Sequence, residues 1–269
     1  MESYQDFAYV YDEFMDATPY EEWCNRIDSL IEKYGVSKKQ RNAKDVLESE
    51  KNLVVDLGCG TGTLTEMLYQ KGYDMIGIDN SESMLAVAME KKAVSESEIF
   101  YLLQDMRELE LYSTVGTVVS VCDSINYILE EDELLEVFKR VNNYLYPGGV
   151  FIFDFNTDYK YREIIGDTVI AENRDTCSFI WENYYDEEEA INEYDVTIFT
   201  QEEDDLFRKF TETHLQKGYT KDTVISLLEQ AGMQVLEVKD ADTNGDVTEI
   251  SQRIYIVAKD QGKEPPKED

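Results

Sequence analysis

The residues best suited to chemistry lie close together in "NLVVDLGCGTGTLTEMLYQKGYDMIGIDNSESML", Asn52 to Leu85. Asp56 sits near the end of a short apolar run. Gly58, Gly60 and Gly62 follow at alternate positions, and Asp79 closes a second apolar run 21 residues after Gly58. Glycines at such a turn let a backbone approach a ligand closely, because no Cβ stands in the way. The start of the next helix offers unpaired N–H groups to an anionic part of the same ligand. A GxxxxGK[ST] phosphate cradle is absent. The dinucleotide spacing G-x-G-x-x-G is not met either, since the third glycine comes one residue early.

Asp56 decides what charge the ligand carries. A carboxylate two residues before Gly58 repels a pyrophosphate in a partly dry cleft and attracts an ammonium. Asp79, at the end of its strand, can accept from both hydroxyls of a ribose. S-adenosylmethionine has an amino group, a sulfonium, a carboxylate, a ribose and no phosphate, and it fits this set.

The elements that must position these residues follow from periodicity. Leu53–Leu57, Tyr73–Ile78, Ile99–Leu103, Val115–Val121 and Val150–Phe155 read as buried strands. Thr63–Lys71, Ser81–Lys92 and Glu131–Leu145 read as the helices between them, with Ser81 as an N-cap and "YPGG" as the stop of the third. Strands alternating with helices predict an α/β fold with a Rossmann-like seven-stranded, mostly parallel sheet covered on both faces. A helical leader precedes it over residues 1–50, with Phe7, Val10, Tyr11 and Phe14 at helical spacing. From Gly166 to about His214 the period becomes two, as in "CSFIWENYY" and "INEYDVTIFT". An inserted antiparallel β patch is therefore expected after the fifth strand, within residues 158–219. The α/β frame comprises 51–157 and 220–259, and the charged tail 260–269 reads as disordered.

Four motifs, "VVDLGCGTG", "GIDNSESML", "LLQDMREL" and "YPGGVFIFDF", occur in order between Val54 and Phe155. In them the chain resembles class I S-adenosylmethionine-dependent methyltransferases. The opening "YQDFAYVYDEFM" also resembles the leader of the bacterial small-molecule branch that includes sugar N,N-dimethyltransferases and the YqeM-like group. The resemblance implies that Gly58, Cys59 and Gly60 line the methionine moiety, with Asp56 near its amino group. It places Asp79 on the ribose with Asn80 beside it, Met84 on the adenine, and Asp105 and Met106 at the adenine edge. Tyr11 covers the cofactor from the leader, and Cys122 and Asp123, at the end of the fourth strand, face cofactor and substrate. Asp105 also fits a plain helix cap, and Met84 plain core.

The insertion emerges where open α/β sheets bind ligands, so it is placed to roof the acceptor pocket or to serve as a homodimer surface. His214, the only histidine, lies where the insertion returns to the frame. It suits a proton acceptor, as Asp123 does, or a structural bond to a backbone carbonyl. No cysteine, histidine or carboxylate cluster has metal-ligand spacing.

Composition narrows the partners. Lys plus Arg is 25 and Asp plus Glu is 58, a formal net charge of −33, which repels nucleic acid and anionic membranes. The scattered cysteines fit a reducing compartment, and the acidic start lacks the apolar stretch of a signal peptide, so a cytoplasmic location is expected. The reading is a methyltransferase acting on a nitrogen or oxygen of a small molecule. The alternatives are a tRNA or protein methyltransferase, or a non-catalytic S-adenosylmethionine-binding regulatory protein.

Overall fold

A computed structural model describes residues 7–41, 45–202 and 206–263. Two sheets organise the chain. The first has seven strands in the order β10-β11-β5-β4-β1-β2-β3. These are β1 (Leu53–Leu57), β2 (Asp74–Asp79), β3 (Phe100–Leu103), β4 (Val115–Ser120), β5 (Leu145–Asn156), β10 (Met233–Asp240) and β11 (Arg253–Asp260). β1 through β5 run parallel, while β11 lies antiparallel between β5 and β10. β1 and β4 are the neighbours at which the strand order reverses, so a crevice opens at their carboxyl ends.

Both faces are covered because both faces of the central strands are apolar. On one side α6 (Glu131–Tyr144) and α7 (Lys221–Gln230) bury Leu134, Phe138, Val141, Val224 and Leu228 against Val118, Phe151 and Phe153. On the other, α2 (Tyr20–Tyr34) and α4 (Thr63–Gln70) bury Ile27, Ile31, Leu64 and Leu68 against Val54 and Val119. α5 (Glu82–Ser95) starts at Ser81, whose hydroxyl accepts from Met84 N–H as the sequence predicts. Two short helices complete the set, α1 (Ala8–Phe14) and α3 (Val46–Asn52).

The second sheet is fully antiparallel, in the order β6-β7-β8-β9. Its strands are Val169–Asn173, Cys177–Asp186, Ile191–Gln201 and Phe207–Lys217. Alternation puts Phe179, Trp181, Tyr194, Val196, His214 and Gln216 on the face toward the first sheet, and exposes Ile180, Glu182, Glu193 and Leu215 on the other. A single π-helical turn, Lys160–Ile165, leads into it. Where the chain leaves the frame and where it returns, Thr157 and Tyr219 form a β-bridge, and Asp158 N–H donates to the Tyr219 carbonyl at 3.2 Å.

One expectation is corrected. "YPGG" does not stop α6 and then form a loop; it is already the first part of β5, and the pairing with β4 shifts there, from Val115–Leu145 to Thr117–Val150. Within the leader, Val46–Asn52 is helical with Asp45 as its cap. The tail expected from residue 260 falls mainly outside the described residues; Lys263 still bonds the Leu145 carbonyl at 2.9 Å.

Candidate functional site

The glycine turn is fixed from below. Gly58 and Cys59 N–H both donate to the Ile78 carbonyl, at 2.7 and 2.9 Å, which ties the end of β1 to β2. Gly58, Gly60 and Gly62 all have positive φ, at 81°, 53° and 74°. The reasons for glycine differ. A Cβ on Gly58 would come within 2.6 Å of Ser124 Oγ, whereas one on Gly60 would meet nothing within 4 Å. Gly58 is demanded by protein packing, and Gly60 leaves space free beside the cavity it lines.

Two carboxylates stand under this turn. Asp79 spans it, with Oδ2 accepting Gly60 N–H at 2.8 Å and Oδ1 accepting Ser81 N–H at 2.9 Å. Burial raises its pKa, and these backbone donors partly offset that. Asp56 is buried and accepts from Thr65 Oγ1 at 2.6 Å. Burial pushes its carboxyl up to about 7, opposed by the Thr65 bond and reinforced by the charge of Asp79.

Other predicted residues gather along the same wall. Asn80, Met84 and Met106 line the cavity beyond Asp79, with Met84 buried in the first turn of α5. Asp105 lines it too, but it also caps the next turn: Oδ1 accepts Arg107 N–H at 2.8 Å, and the Arg107 side chain reaches both oxygens. Burial raises the Asp105 carboxyl and the Arg107 contacts more than reverse this, leaving it lowered. Cys122 and Asp123, just past β4, have φ of 62° and 55°, a strained conformation for residues with a Cβ. Cys122 Sγ is 3.9 Å from the Tyr11 hydroxyl. Both Asp123 oxygens are held, Oδ1 by Arg253 at 2.8 Å and Oδ2 by Gln216 Nε2 at 2.7 Å. That ties β4, β9 and β11 together and leaves no carboxylate oxygen without a donor.

His214 belongs to an aromatic cluster on the inner face of the second sheet. Its ring stacks on Tyr194, with centroids 5.0 Å apart and planes at 20°. Nδ1 is 3.4 Å from the Tyr127 hydroxyl, which is 2.9 Å from the Tyr194 hydroxyl. Nε2 is 3.6 Å from the Glu212 carboxylate.

α1 meets the glycine turn, α4 and α5 on one side and the second sheet on the other. Asp12 accepts from Thr61 and Thr63 hydroxyls at 2.7 and 3.2 Å and pairs with Lys91 at 2.6 Å. Phe14 meets Phe179 edge to face at 4.8 Å, and Arg174 pairs with Asp16 at 2.9 Å and donates to the Glu13 carbonyl. The space these elements border is one continuous, partly open cavity of about 1510 Å³, running from Gly60 and Asp79 to Tyr127, Lys160 and His214. That is larger than the roughly 300–1,000 Å³ usual for a single small ligand. Among the described residues no group of three histidine, cysteine or carboxylate side chains is placed to hold a metal ion, and no helix is long and apolar enough to cross a membrane.

Similarity to known proteins agrees with this arrangement. A family described as a methyltransferase domain matches residues 54–149. Two relatives bear the name "Putative methyltransferase". One, from Geobacillus sp. (strain WCH70), is 34% identical over 257 residues, covering 96% of this chain and 99% of the relative. The other, YqeM of Bacillus subtilis (strain 168), is 31% identical over 256 residues, covering 95% and 96%. A solved S-adenosylmethionine-dependent methyltransferase from Clostridium acetobutylicum ATCC 824 is 28% identical and superposes with a TM-score of 0.82 over 96% of this chain and 99% of that one. The chain belongs to the class I S-adenosylmethionine-dependent methyltransferase family. A relative from Streptomyces venezuelae, dTDP-3-amino-3,4,6-trideoxy-alpha-D-glucopyranose N,N-dimethyltransferase, is 30% identical over 105 residues, 39% of this chain and 43% of its own.

Several cavity residues left little trace in the sequence: Tyr127, Lys160, Gln216 and Arg253. Only Arg253 left a signal, as the charged residue that opens the otherwise apolar "RIYIVA". The others become neighbours through contacts between distant parts of the chain.

Proposed function

We propose that this chain moves a methyl group from S-adenosylmethionine to a nitrogen or oxygen of a small molecule held under the second sheet. The observation that carries this is the single cavity that joins the glycine turn to the Tyr127–His214 cluster. Its glycine end fits the cofactor. Asp56 is a buried acid for the ammonium, Gly60 leaves open space for the methionine part, and the start of α4 offers N–H groups to the carboxylate. Each Asp79 oxygen keeps a lone pair beyond its backbone bond for a ribose hydroxyl. Asn80, Met84, Asp105 and Met106 take the adenine, and Tyr11, Cys59 and Cys122 close around the middle. The bound cofactor supplies an electrophilic methyl on its sulfonium.

The chain's own part is alignment, exclusion of water and handling of one proton. The proton that the acceptor loses passes to the Tyr127 hydroxyl oxygen as that hydroxyl gives its own proton to His214 Nδ1, 3.4 Å away, and the Glu212 carboxylate, 3.6 Å from Nε2, faces the resulting imidazolium. The relative that methylates an amino sugar supports a small-molecule acceptor. Calorimetry tests the cofactor assignment. S-adenosylhomocysteine should bind and NAD should not, and Asp79→Ala should weaken the binding by roughly tenfold to a hundredfold, since it removes a charged acceptor. Unchanged affinity in Asp79→Ala would place the ribose elsewhere. A turnover assay over amines, sugars and phenols tests the transfer itself.

Asp56 gives a pH signature of the free protein. Its folded pKa of about 7 lies above the usual carboxylate value, so its contribution to stability is present below pH 4 and is lost as pH rises through 7. Between pH 5 and 8 the loss should be about 2–3 kcal/mol. Asp56→Asn should lack that component in urea unfolding without ligand. Identical slopes in the two proteins would show that Asp56 is already ionised when folded.

A further inference from the structure

Two cations meet on one neutral oxygen at the acceptor end of the cavity. Lys160 opens the π-helical turn, and its Nζ donates to Asn156 Oδ1 at 2.9 Å. Arg253 opens β11, and its Nε donates to the same oxygen at 3.2 Å. The orientation of that amide is set by its neighbours, because Asn156 Nδ2 donates to the Tyr161 hydroxyl at 3.0 Å.

The two cations are not equally compensated. Arg253 has Asp123 at 2.8 Å and Asp154 at 3.6 Å. Among the described residues Lys160 forms no ion pair. Asp123, Asp154 and Asp242 lie within electrostatic range of it but do not touch its ammonium. Burial, and next the charge of Arg253, push the pKa of Lys160 down. A half-buried lysine normally gains a carboxylate partner, and this chain has 58 acidic residues from which one could have been placed. Instead Lys160 lines the cavity with two of its three N–H donors not used on any described residue.

We propose that Lys160, backed by Arg253, binds an anionic group of the methyl acceptor, a carboxylate or a phosphate. The acceptor is then a molecule with a nucleophilic nitrogen or oxygen at one end and an acid at another, lying between the Tyr127–His214 cluster and the start of the π-helical turn. This rests on reading the cavity as an acceptor site, and it adds the charge of the molecule that enters. It also explains why the cation is inside. The chain's net charge of −33 repels an anion at long range, so a lysine set inside the cavity is suited to hold one by close contact.

Calorimetry at constant ionic strength tests it with three probes, inorganic phosphate, pyrophosphate and benzoate, each titrated with and without saturating S-adenosylhomocysteine. At least one probe should bind saturably to the wild type, and the series separates phosphate from carboxylate recognition. Lys160→Met should weaken that binding by roughly tenfold to a hundredfold, and Lys160→Arg should restore most of it. S-adenosylhomocysteine titrations of the same proteins report the cofactor reading independently. If it binds and no probe does, or if Lys160→Met binds the probe as the wild type does, the anion site is wrong and the methyltransferase reading stands. If S-adenosylhomocysteine does not bind the wild type while a Lys160-dependent anion does, the cofactor reading falls instead.

Discussion

Removal of residues 1–18 is expected to abolish methyl transfer and to weaken S-adenosylhomocysteine binding, while the seven-stranded sheet still folds. α1 adds no strand to either sheet, and Ala8 is its only buried residue. Its contribution is to the cavity wall, through Tyr11, Phe14 and Met15, and to the join between the sheets, through Asp12 on one side and Phe14 on the other. Without it water reaches the space between cofactor and acceptor, and the alignment that supplies much of the rate is lost. Transfer should fall by more than about a hundredfold, the scale on which misalignment acts. Circular dichroism checks the fold and calorimetry the affinity. Hydrogen exchange on the full-length chain should show 7–18 and parts of 166–214 protected by S-adenosylhomocysteine. Exchange indifferent to the ligand in both segments would mean that neither closes over it.

Gly58 and Gly60 should fail in different ways when replaced. Gly60→Leu is expected to remain folded, losing only the roughly 1–2 kcal/mol that a left-handed conformation costs a residue with a Cβ. It should lose S-adenosylhomocysteine binding entirely, because its side chain grows into open space beside the cavity. Gly58→Leu should destabilise the protein itself, since its Cβ would stand 2.6 Å from Ser124 Oγ at a φ of +81°. Thermal unfolding and calorimetry on the same two samples separate the effects. A Gly60→Leu protein that binds S-adenosylhomocysteine normally would show that the ligand does not pass along the turn.

The order of strands and helices was legible because burial on both faces makes apolar runs of strand length, and amphipathic helices lie between them. The second sheet was legible because alternation in β7 and β8 is a period-two signal that no helix produces. "YPGG" misled because proline and glycines after a helix usually end it, whereas here they form the irregular start of an interior strand whose pairing shifts register. The π-helical turn left no trace, since "KYREII" has ordinary helical composition. Of the site, the part built from one continuous stretch, Asp56 to Met84, could be read directly. The pairing of Asp123 with Arg253, 130 residues apart, could not, because no local pattern encodes a contact made by folding. The same holds for Lys160 and for the Tyr127–His214 contact.

The bridge between Thr157 and Tyr219 means that the second sheet departs from the frame and returns to it at one place. Everything between is a loop in the topological sense, closed by a staple, and its strands share no sheet with β1–β5. Segments attached in this way can be exchanged without disturbing the order of the host. On the proposed assignment, the wall that would meet the acceptor can therefore drift in evolution while the wall that would hold the cofactor stays fixed. The same geometry invites grafting: residues 158–218 of a relative could be transplanted as one cassette, carrying a different acceptor preference onto an unchanged methyl-donating half.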